Sequence, residues 1–357
     1  MKAAVLYAND DIRYDDYADP VIDKTESGSV IVKVKAAGIC GSDIPRVLSN
    51  GSHYYPNVLG HEFAGEIVEV GEDIKNAKNS KNLYDLKIGD RIAGAPLMPC
   101  MTCEDCQKGN YALCRYYDFI GSRRQGAFAE YVKLPAVNAV KFDENISYEQ
   151  GALFEPSTVA LHGLRVNNYT GGHDVAILGG GTIGLFTMQW AKIFGAKSVT
   201  VFDISDERLD LCKKMGADYV VNTQNNNYNN YNNINNNAYH FVFETAGNNQ
   251  TMQSAFEIAG NKANICFIGT SSKDLTFTSK LFENMNRKEF KLTGSWMSYS
   301  APFPGEEWRL TAHYFKTGQL KFDDKLLFKR FNLSEAKEAF DLYKNPGQVK
   351  GKIMFII

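Results

Sequence analysis

The sequence predicts an α/β protein of two domains, one β-rich and one doubly wound around a parallel sheet of six strands. Three observations carry that reading. At 357 residues the chain exceeds what a single hydrophobic core usually holds. From Lys2 to about Asp143 it is punctuated by glycine and carries alternating segments such as Ser29-Val30-Ile31-Val32-Lys33-Val34-Lys35, with valine at every second position, as a half-buried strand requires. From Asp174 the texture changes to short apolar strands alternating with amphipathic helices, the pattern of βαβ units.

Composition narrows the function classes. An apolar content of 44% and a charged content of 22% describe an ordinary globular protein. A net charge of -2 offers no basic footprint for nucleic acid or an anionic membrane, so neither is expected as a partner. No apolar run approaches the roughly 20 residues of a membrane span, and an N-terminus carrying Asp10, Asp11, Asp15 and Asp16 does not read as a signal peptide. A cytoplasmic location is expected. Seven cysteines, four of them crowded together, suggest metal thiolates in a reducing compartment rather than disulfides.

The chemistry is expected between residues 38 and 62. Gly38-Ile39-Cys40-Gly41-Ser42-Asp43 and Gly60-His61-Glu62 offer a thiolate, an imidazole and two carboxylates. A borderline-soft ion such as Zn²⁺ accepts that mixture, and a catalytic site uses three protein ligands while one position stays open. Cys40 and His61 are the first two candidate ligands. Glu155, a lone acid in Phe154-Glu155-Pro156-Ser157, is the candidate third, with Glu62 its rival. Between Asp73 and Leu86 a polar stretch including residues 75–82 lacks any apolar period and reads as an exposed loop. Next come Cys100, Cys103 and Cys106, followed by Cys114, a spacing that lets one short lobe wrap four thiolates around a single ion. Four protein ligands close such a site, so its role should be to hold the lobe's shape. The paired Arg123 and Arg124 lie in a glycine-containing turn, either as a solvated face or as a fork for a substrate phosphate.

In the second domain, Val175-Ala176-Ile177-Leu178 reads as a buried strand, Gly179-Gly180-Gly181-Thr182-Ile183-Gly184 matches G-x-G-x-x-G, and a helix continues from Leu185 to Phe194. The next strand, from Ser198 to Phe202, ends at Asp203. Glycines between strand and helix with an acid about 20 residues on form the dinucleotide fingerprint. Gly179 permits the tight turn, Gly181 lets a pyrophosphate approach the backbone where Thr182 and Ile183 open the helix, and Gly184 lets helix and strand pack closely. Asp203 would accept from the adenosine ribose hydroxyls and repel a 2′-phosphate, which favours NAD over NADP. Arg208, in the segment after Asp203, joins the cofactor-binding candidates. Further strands are expected at 218–222, 240–244, 264–268 and 290–294, with Gly216 and Gly260 where helices should stop.

The asparagine-rich stretch 224–237 interrupts this sheet where a crossover belongs. Tyr228, Tyr231 and Ile234 recur at every third residue, which allows a short surface helix as well as a loop, and no function is assigned to it. After Trp296 a helix is expected from Glu306 to Thr317, stopped by Gly318, then another from Ser334, and a closing strand from Gly351 to Ile357. This tail is too short to fold alone and should return to the N-terminal domain.

Taken together and in this order, the Cys40-Gly41-Ser42-Asp43 and Gly60-His61-Glu62 pair, the four-cysteine lobe, Glu155-Pro156 and the glycine fingerprint make the chain similar to the zinc-dependent medium-chain dehydrogenases over nearly its whole length. Residues 50–56, 117–124 and 294–299 are similar to the galactitol-1-phosphate 5-dehydrogenase branch of that family. The asparagine-rich stretch departs from the usual pattern. The resemblance implies a GroES-like catalytic domain, residues 1–156 and 297–357, a Rossmann domain, residues 157–296, and a homodimer or homotetramer. It implies one catalytic and one structural zinc per chain, with NAD as cosubstrate and the substrate site in the cleft between the domains.

It also implies roles. Zinc held by Cys40, His61 and Glu155 would lower the pKa of a secondary hydroxyl on a polyol or polyol phosphate, giving a ketose phosphate such as tagatose 6-phosphate. Ser42 would start a proton relay, Asp43 would accept from the second ring nitrogen of His61, and Glu62 would stay outside the metal's ligands or join them. Arg46, Arg123 and Arg124 are candidate phosphate receivers. His53, Tyr54, Tyr55 and Trp296 could line the polyol pocket, and Lys350 and Lys352 would approach the cofactor pyrophosphate. An unphosphorylated polyol dehydrogenase of the sorbitol type, or a secondary-alcohol or butanediol dehydrogenase, is the alternative.

Overall fold

Val30, Val32 and Val34 are fully buried along one face of the strand Ser29–Gly38, around which the β-rich part of the protein is built. The computed structural model describes residues 1–76, 85–224, 239–345 and 347–357. These fall into two units, Met1–Glu155 with Tyr299–Gly318 and Leu327–Ile357, and Pro156–Ser298 with Gln319–Leu326.

In the first unit Ser29–Gly38 pairs antiparallel with Glu62–Val70 on one side and with Lys352–Ile356 on the other. Arg91–Gly94 and Ala139–Lys141 extend the sheet beyond Glu62–Val70, and Leu327–Asn332 extends it beyond Lys352–Ile356. Tyr131–Pro135 pairs with the N-terminal half of Ser29–Gly38. The chain's last strand is thus central to the sheet begun by its first hundred residues. A core of aliphatic and phenylalanine side chains fills this unit, with Phe63, Phe128, Phe331, Phe340 and Phe355 all but fully buried. The helix Glu306–Lys316 sets Trp308 and Phe315 inside, Phe315 stacking on Phe154 with ring centroids 5.5 Å apart. Gly318 follows with φ at 72°, a left-handed residue that ends the helix.

The second unit is a sheet of six parallel strands in the order Tyr219–Asn222, Ser198–Asp203, Asp174–Leu178, Tyr239–Glu244, Ala259–Phe267 and Lys291–Gly294. Asp174–Leu178 and Ser198–Asp203 are buried at every position, as strands covered on both faces must be. The strand order reverses between Asp174–Leu178 and Tyr239–Glu244, the switch point where ligands of doubly wound folds bind. The helix Thr182–Ile193 packs its Leu185, Phe186, Met188 and Trp190 inward. Ser205 caps the helix Asp206–Met215, and Gly216, with φ at 121°, stops it.

Three expectations change. Residues 319–326 belong to the second unit, because the Gln189 side chain pairs with both the N–H and the carbonyl of Lys321 and Lys214 forms an ion pair with Asp323. Lys75 and Asn76 are not loop but the end of a short helix, Glu72–Asn76, while the rest of that polar stretch, 77–84, lies outside the described residues. The helix expected from Ser334 starts as a 3-10 turn, Leu333–Glu335, because Asn332 and Glu335 form a capping box there, and becomes α-helical over Ala336–Asp341. The asparagine-rich stretch, from residue 225 on, also lies outside the described residues.

A Cβ at position 184 would fall inside the van der Waals shell of the Gly179 carbonyl oxygen, so helix and glycine turn are in direct contact there. Gly184→Ala should therefore lower the protein's melting temperature, by overpacking worth roughly 1–3 kcal/mol. Differential scanning calorimetry of the purified variant checks this.

Candidate active site and metal centres

Cys40 lies two residues past the end of Ser29–Gly38, where the chain turns into the short helix Asp43–Leu48. The turn is closed twice: the Asp43 N–H donates to the Cys40 carbonyl at 3.0 Å, and the Cys40 N–H donates to Asp43 Oδ2 at 3.1 Å. The other carboxylate oxygen, Oδ1, lies 3.5 Å from His61 Nδ1. Asp43 is completely buried, and although the contact does not meet hydrogen-bond geometry, its negative charge beside Nδ1 favours a proton there and would leave Nε2 to bind elsewhere. Sheet register brings the two motifs together, since Glu62 is the cross-strand partner of Gly38 and carries His61 beside Cys40. Phe119 closes one side, its ring edge-on to His61 with centroids 5.4 Å apart.

One ligand atom from each of Cys40, His61 and Glu62 lies within 4.8 Å of the others. Burial opposes a charge on His61, yet the negative charges of Asp43 and then Cys40 outweigh it and hold the imidazole pKa well above its ordinary value. The enclosure thus favours positive charge. With a thiolate, an imidazole and carboxylates as its donors, it fits zinc. Glu155, in the first turn of Phe154–Val166, stands outside this tight group but within its field. Burial pushes its carboxyl up to about 7, against the pull of His61 and with the push of Glu62. Ser42 is exposed, and its hydroxyl donates to Cys40 Sγ at 3.4 Å.

Lys352 takes a different place from the one expected. It is 7% exposed and forms an ion pair with Glu62, itself 2% exposed, so it is not free to meet a pyrophosphate. Lys350 is exposed. The partnership of Lys352 with the metal-binding group was missed in the sequence, where the one available signal was a lone lysine opening the apolar run Ile353-Met354-Phe355-Ile356.

The four-cysteine lobe is built from the turn before the short helix Glu104–Gln107 and the 3-10 turn Tyr111–Leu113. Its four sulfurs lie within 4.8 Å of one another, and backbone N–H groups of Cys100 and Cys103 donate to Cys114 Sγ and Cys100 Sγ, both at 3.3 Å. The Thr102 hydroxyl and neighbouring N–H groups bring the Cys100 thiol down to about 6, whereas burial pushes Cys106 up to about 12. Cys106 in particular would ionise only beside a cation, which a zinc held by the four sulfurs would supply.

Of the substrate candidates, three converge. Asn57, fully buried, donates to Ser52 Oγ at 2.7 Å and to the Ser122 carbonyl at 3.1 Å, tying the His53 loop to the Arg123 turn. Arg46 is anchored on the Ser42 carbonyl at 2.7 Å. Partial burial and then the charges of Arg123 and Arg46 lower the His53 pKa. Arg123 lies over the Tyr117 ring, 4.7 Å from its centroid, and among the described residues neither Arg123 nor Arg46 has a carboxylate partner. Arg124 differs: it pairs with Asp118 at 2.6 Å and faces Glu26 at 3.7 Å. Tyr54, Arg123 and Arg124 line a cavity of about 740 Å³. The Tyr55 hydroxyl is engaged by Asn9 and the Ser52 N–H. Trp296 lies in the second unit, 52% exposed.

In that unit Gly179 has φ at 108°, a conformation that favours glycine, and a Cβ on Gly181 would meet nothing within 4 Å, leaving room for a ligand to approach the helix start. Gly181 is the N-cap and offers no side chain to the first-turn N–H groups of Thr182–Ile193. Asp203 ends its strand with Oδ2 accepting from the Gly180 N–H at 2.7 Å and Oδ1 from the Ser205 N–H at 2.9 Å, while Arg208 stands 3.7 Å away. This arrangement suits a dinucleotide phosphate at the turn and a ribose at the acid.

The family models of the alcohol dehydrogenase GroES-like domain and of the zinc-binding dehydrogenases match residues 26–144 and 182–313. Galactitol 1-phosphate 5-dehydrogenase of Escherichia coli K12 is 40% identical over 329 residues, 92% of this chain and 92% of that protein. Sorbitol dehydrogenase of Bacillus subtilis is 33% identical over 289 residues, 77% of this chain and 76% of that protein. The crystal structure of galactitol-1-phosphate dehydrogenase from Escherichia coli superposes with a TM-score of 0.91 at 38% identity, covering 100% of both chains.

Cys106→Ser should leave one zinc per chain where the unaltered protein holds two, and should make the lobe the first point of protease cleavage. Metal analysis and limited proteolysis check both outcomes.

Proposed function

Because the chain belongs to the zinc-dependent medium-chain alcohol dehydrogenase family, we propose that it oxidises a secondary hydroxyl of a polyol phosphate, galactitol 1-phosphate to tagatose 6-phosphate, with hydride transfer to NAD. The observation that supports the phosphate is that the charges of Arg123 and Arg46 both bear on His53, while among the described residues neither guanidinium has a carboxylate partner. Two such guanidinium groups suit a dianion. The 40% identity to an enzyme named for this substrate supports the same reading. Arg124, neutralised by Asp118 and Glu26, is left with a structural part.

Cys40, His61 and a carboxylate from Glu155 or Glu62 would hold the catalytic zinc, and Cys100, Cys103, Cys106 and Cys114 the structural one. When bound, the catalytic zinc supplies Lewis acidity that lowers the pKa of a substrate hydroxyl. Asp43 fixes the tautomer of His61. Ser42, exposed beside Cys40, is placed to pass the hydroxyl proton toward solvent. The carbon-bound hydrogen leaves with its electron pair for the nicotinamide, giving a ketone, NADH and a proton. Asp203, at the end of its strand, supports NAD over NADP because its charge repels a 2′-phosphate. A reducing compartment such as the cytoplasm keeps the lobe thiols available to metal.

The strand Lys291–Gly294 ends the six-stranded sheet, with Leu292 44% exposed. A sheet edge that exposes a leucine suits pairing with a second copy of the chain. Leu292→Glu should turn a dimer into monomers, as read by light scattering coupled to size exclusion.

Galactitol 1-phosphate should exceed galactitol, sorbitol and 2,3-butanediol by orders of magnitude in kcat/KM, followed as NADH absorbance. Arg123→Gln should cost roughly 1.5–3 kcal/mol of that advantage, about 10- to 100-fold in kcat/KM for the phosphorylated substrate alone. Equal turnover of free polyols would favour the sorbitol-type reading, for which the 33% identity to a sorbitol dehydrogenase speaks.

A further inference from the structure

Lys352 is an ammonium group enclosed within a β-core, where a lone charge costs several kcal/mol unless it is paired. Its partner is Glu62, and the two come from strands on opposite sides of Ser29–Gly38. Strands two places apart in a sheet are separated by about 9.5 Å, too far for an ion pair unless the position between them is vacant. It is vacant because residue 38 is glycine: a Cβ there would stand 2.5 Å from Glu62 Oε2 and 3.0 Å from Lys352 Cε. The Lys352 charge bears on Cys40 as well as Glu62, so the pair lies directly behind the metal-binding group.

We propose that Lys352 is a positioning residue that holds the Glu62 carboxylate back from the metal, so that one coordination position stays open for the substrate. The inference rests on the reading that Cys40 and His61 hold the catalytic zinc. A Glu62 ligand atom lies within 4.8 Å of those of both Cys40 and His61, and Glu155 shares their field. If both carboxylates joined Cys40 and His61, the site would have four protein ligands and be closed, as the lobe is. The contact that opposes closure is the ion pair in which Lys352 Nζ holds Glu62 Oε2. Remove the ammonium and that oxygen is left buried, charged and without its cation, with the metal as the nearest replacement.

The experiment measures zinc affinity of the catalytic site by chelator competition, in protein whose lobe stays filled, together with the response of the cobalt-substituted site's visible spectrum to imidazole, a small ligand for an open position. Lys352→Met should bind zinc roughly 10- to 100-fold more tightly and lose the imidazole response. Lys352→Arg should restore both to the unaltered values. The double variant E62Q/K352M should keep the imidazole response and lose the tightening. Unchanged or weaker affinity in Lys352→Met overturns the proposal, as does tightening that persists when Glu62 is Gln, since Lys352 would then act by charge alone. Should Lys352→Met fail to fold, Lys352→Gln, neutral but able to donate to Glu62, serves with the same readouts. If the unaltered protein retains only the lobe zinc, the reading of Cys40 and His61 fails and this proposal falls with it, an outcome distinct from a filled site that does not respond to Lys352→Met.

Discussion

Negative charge gathered inside a β-core has to be matched by positive charge, and much of the first unit is arranged around that requirement. Asp43, Glu62 and the Cys40 sulfur meet His61 where Ser29–Gly38 and Glu62–Val70 run out side by side. In the folded chain the match is shared by the imidazole and by Lys352. Together they still leave one of three negative charges unmatched, whereas a divalent ion beside Lys352, with the imidazole neutral, would balance all three. The lobe meets the same problem differently: four thiols so close together cannot all ionise without a cation, so metal and shape would come as one.

The second unit depends on contact rather than charge. The glycine turn after Asp174–Leu178 is pressed against Thr182–Ile193 so closely that Gly184 has no room for a side chain, while Gly181 faces open space. One glycine is there because protein fills the position and the other because a ligand has to. Asp203 meanwhile holds the turn by its backbone, through Gly180, so the acid proposed to read the ribose also fixes the loop proposed to receive the phosphates.

What could be read from the sequence was whatever is local in the chain. The valine alternation of residues 30–34, the glycine fingerprint and the cysteine cluster each declare themselves within a few residues. The parallel strands were found within one or two residues of their ends, except Ala259–Phe267, which starts well before the expected Asn264. What escaped was set by distant partners. Arg123 and Arg124 are neighbours of identical type, and only the folded positions of Asp118 and Glu26 separate an unpaired guanidinium from a neutralised one. Lys352 was expected near the cofactor pyrophosphate because nothing in the last strand reveals that it will lie two strands from Glu62. Residues 319–326 passed for part of the first unit because their attachment runs through Gln189 and Lys214, more than a hundred positions upstream.

The vacancy at Gly38 makes residues 38, 62 and 352 a single unit of inheritance. A side chain at 38 leaves no room for the Glu62–Lys352 pair, and loss of either charge leaves the other buried without its counterion. Descendants of this chain can therefore change these three positions together or keep all three, but a lineage passing through one change at a time crosses an unfavourable intermediate. Joint variation at the three sites is a trace such a history would leave, and one visible in sequences alone.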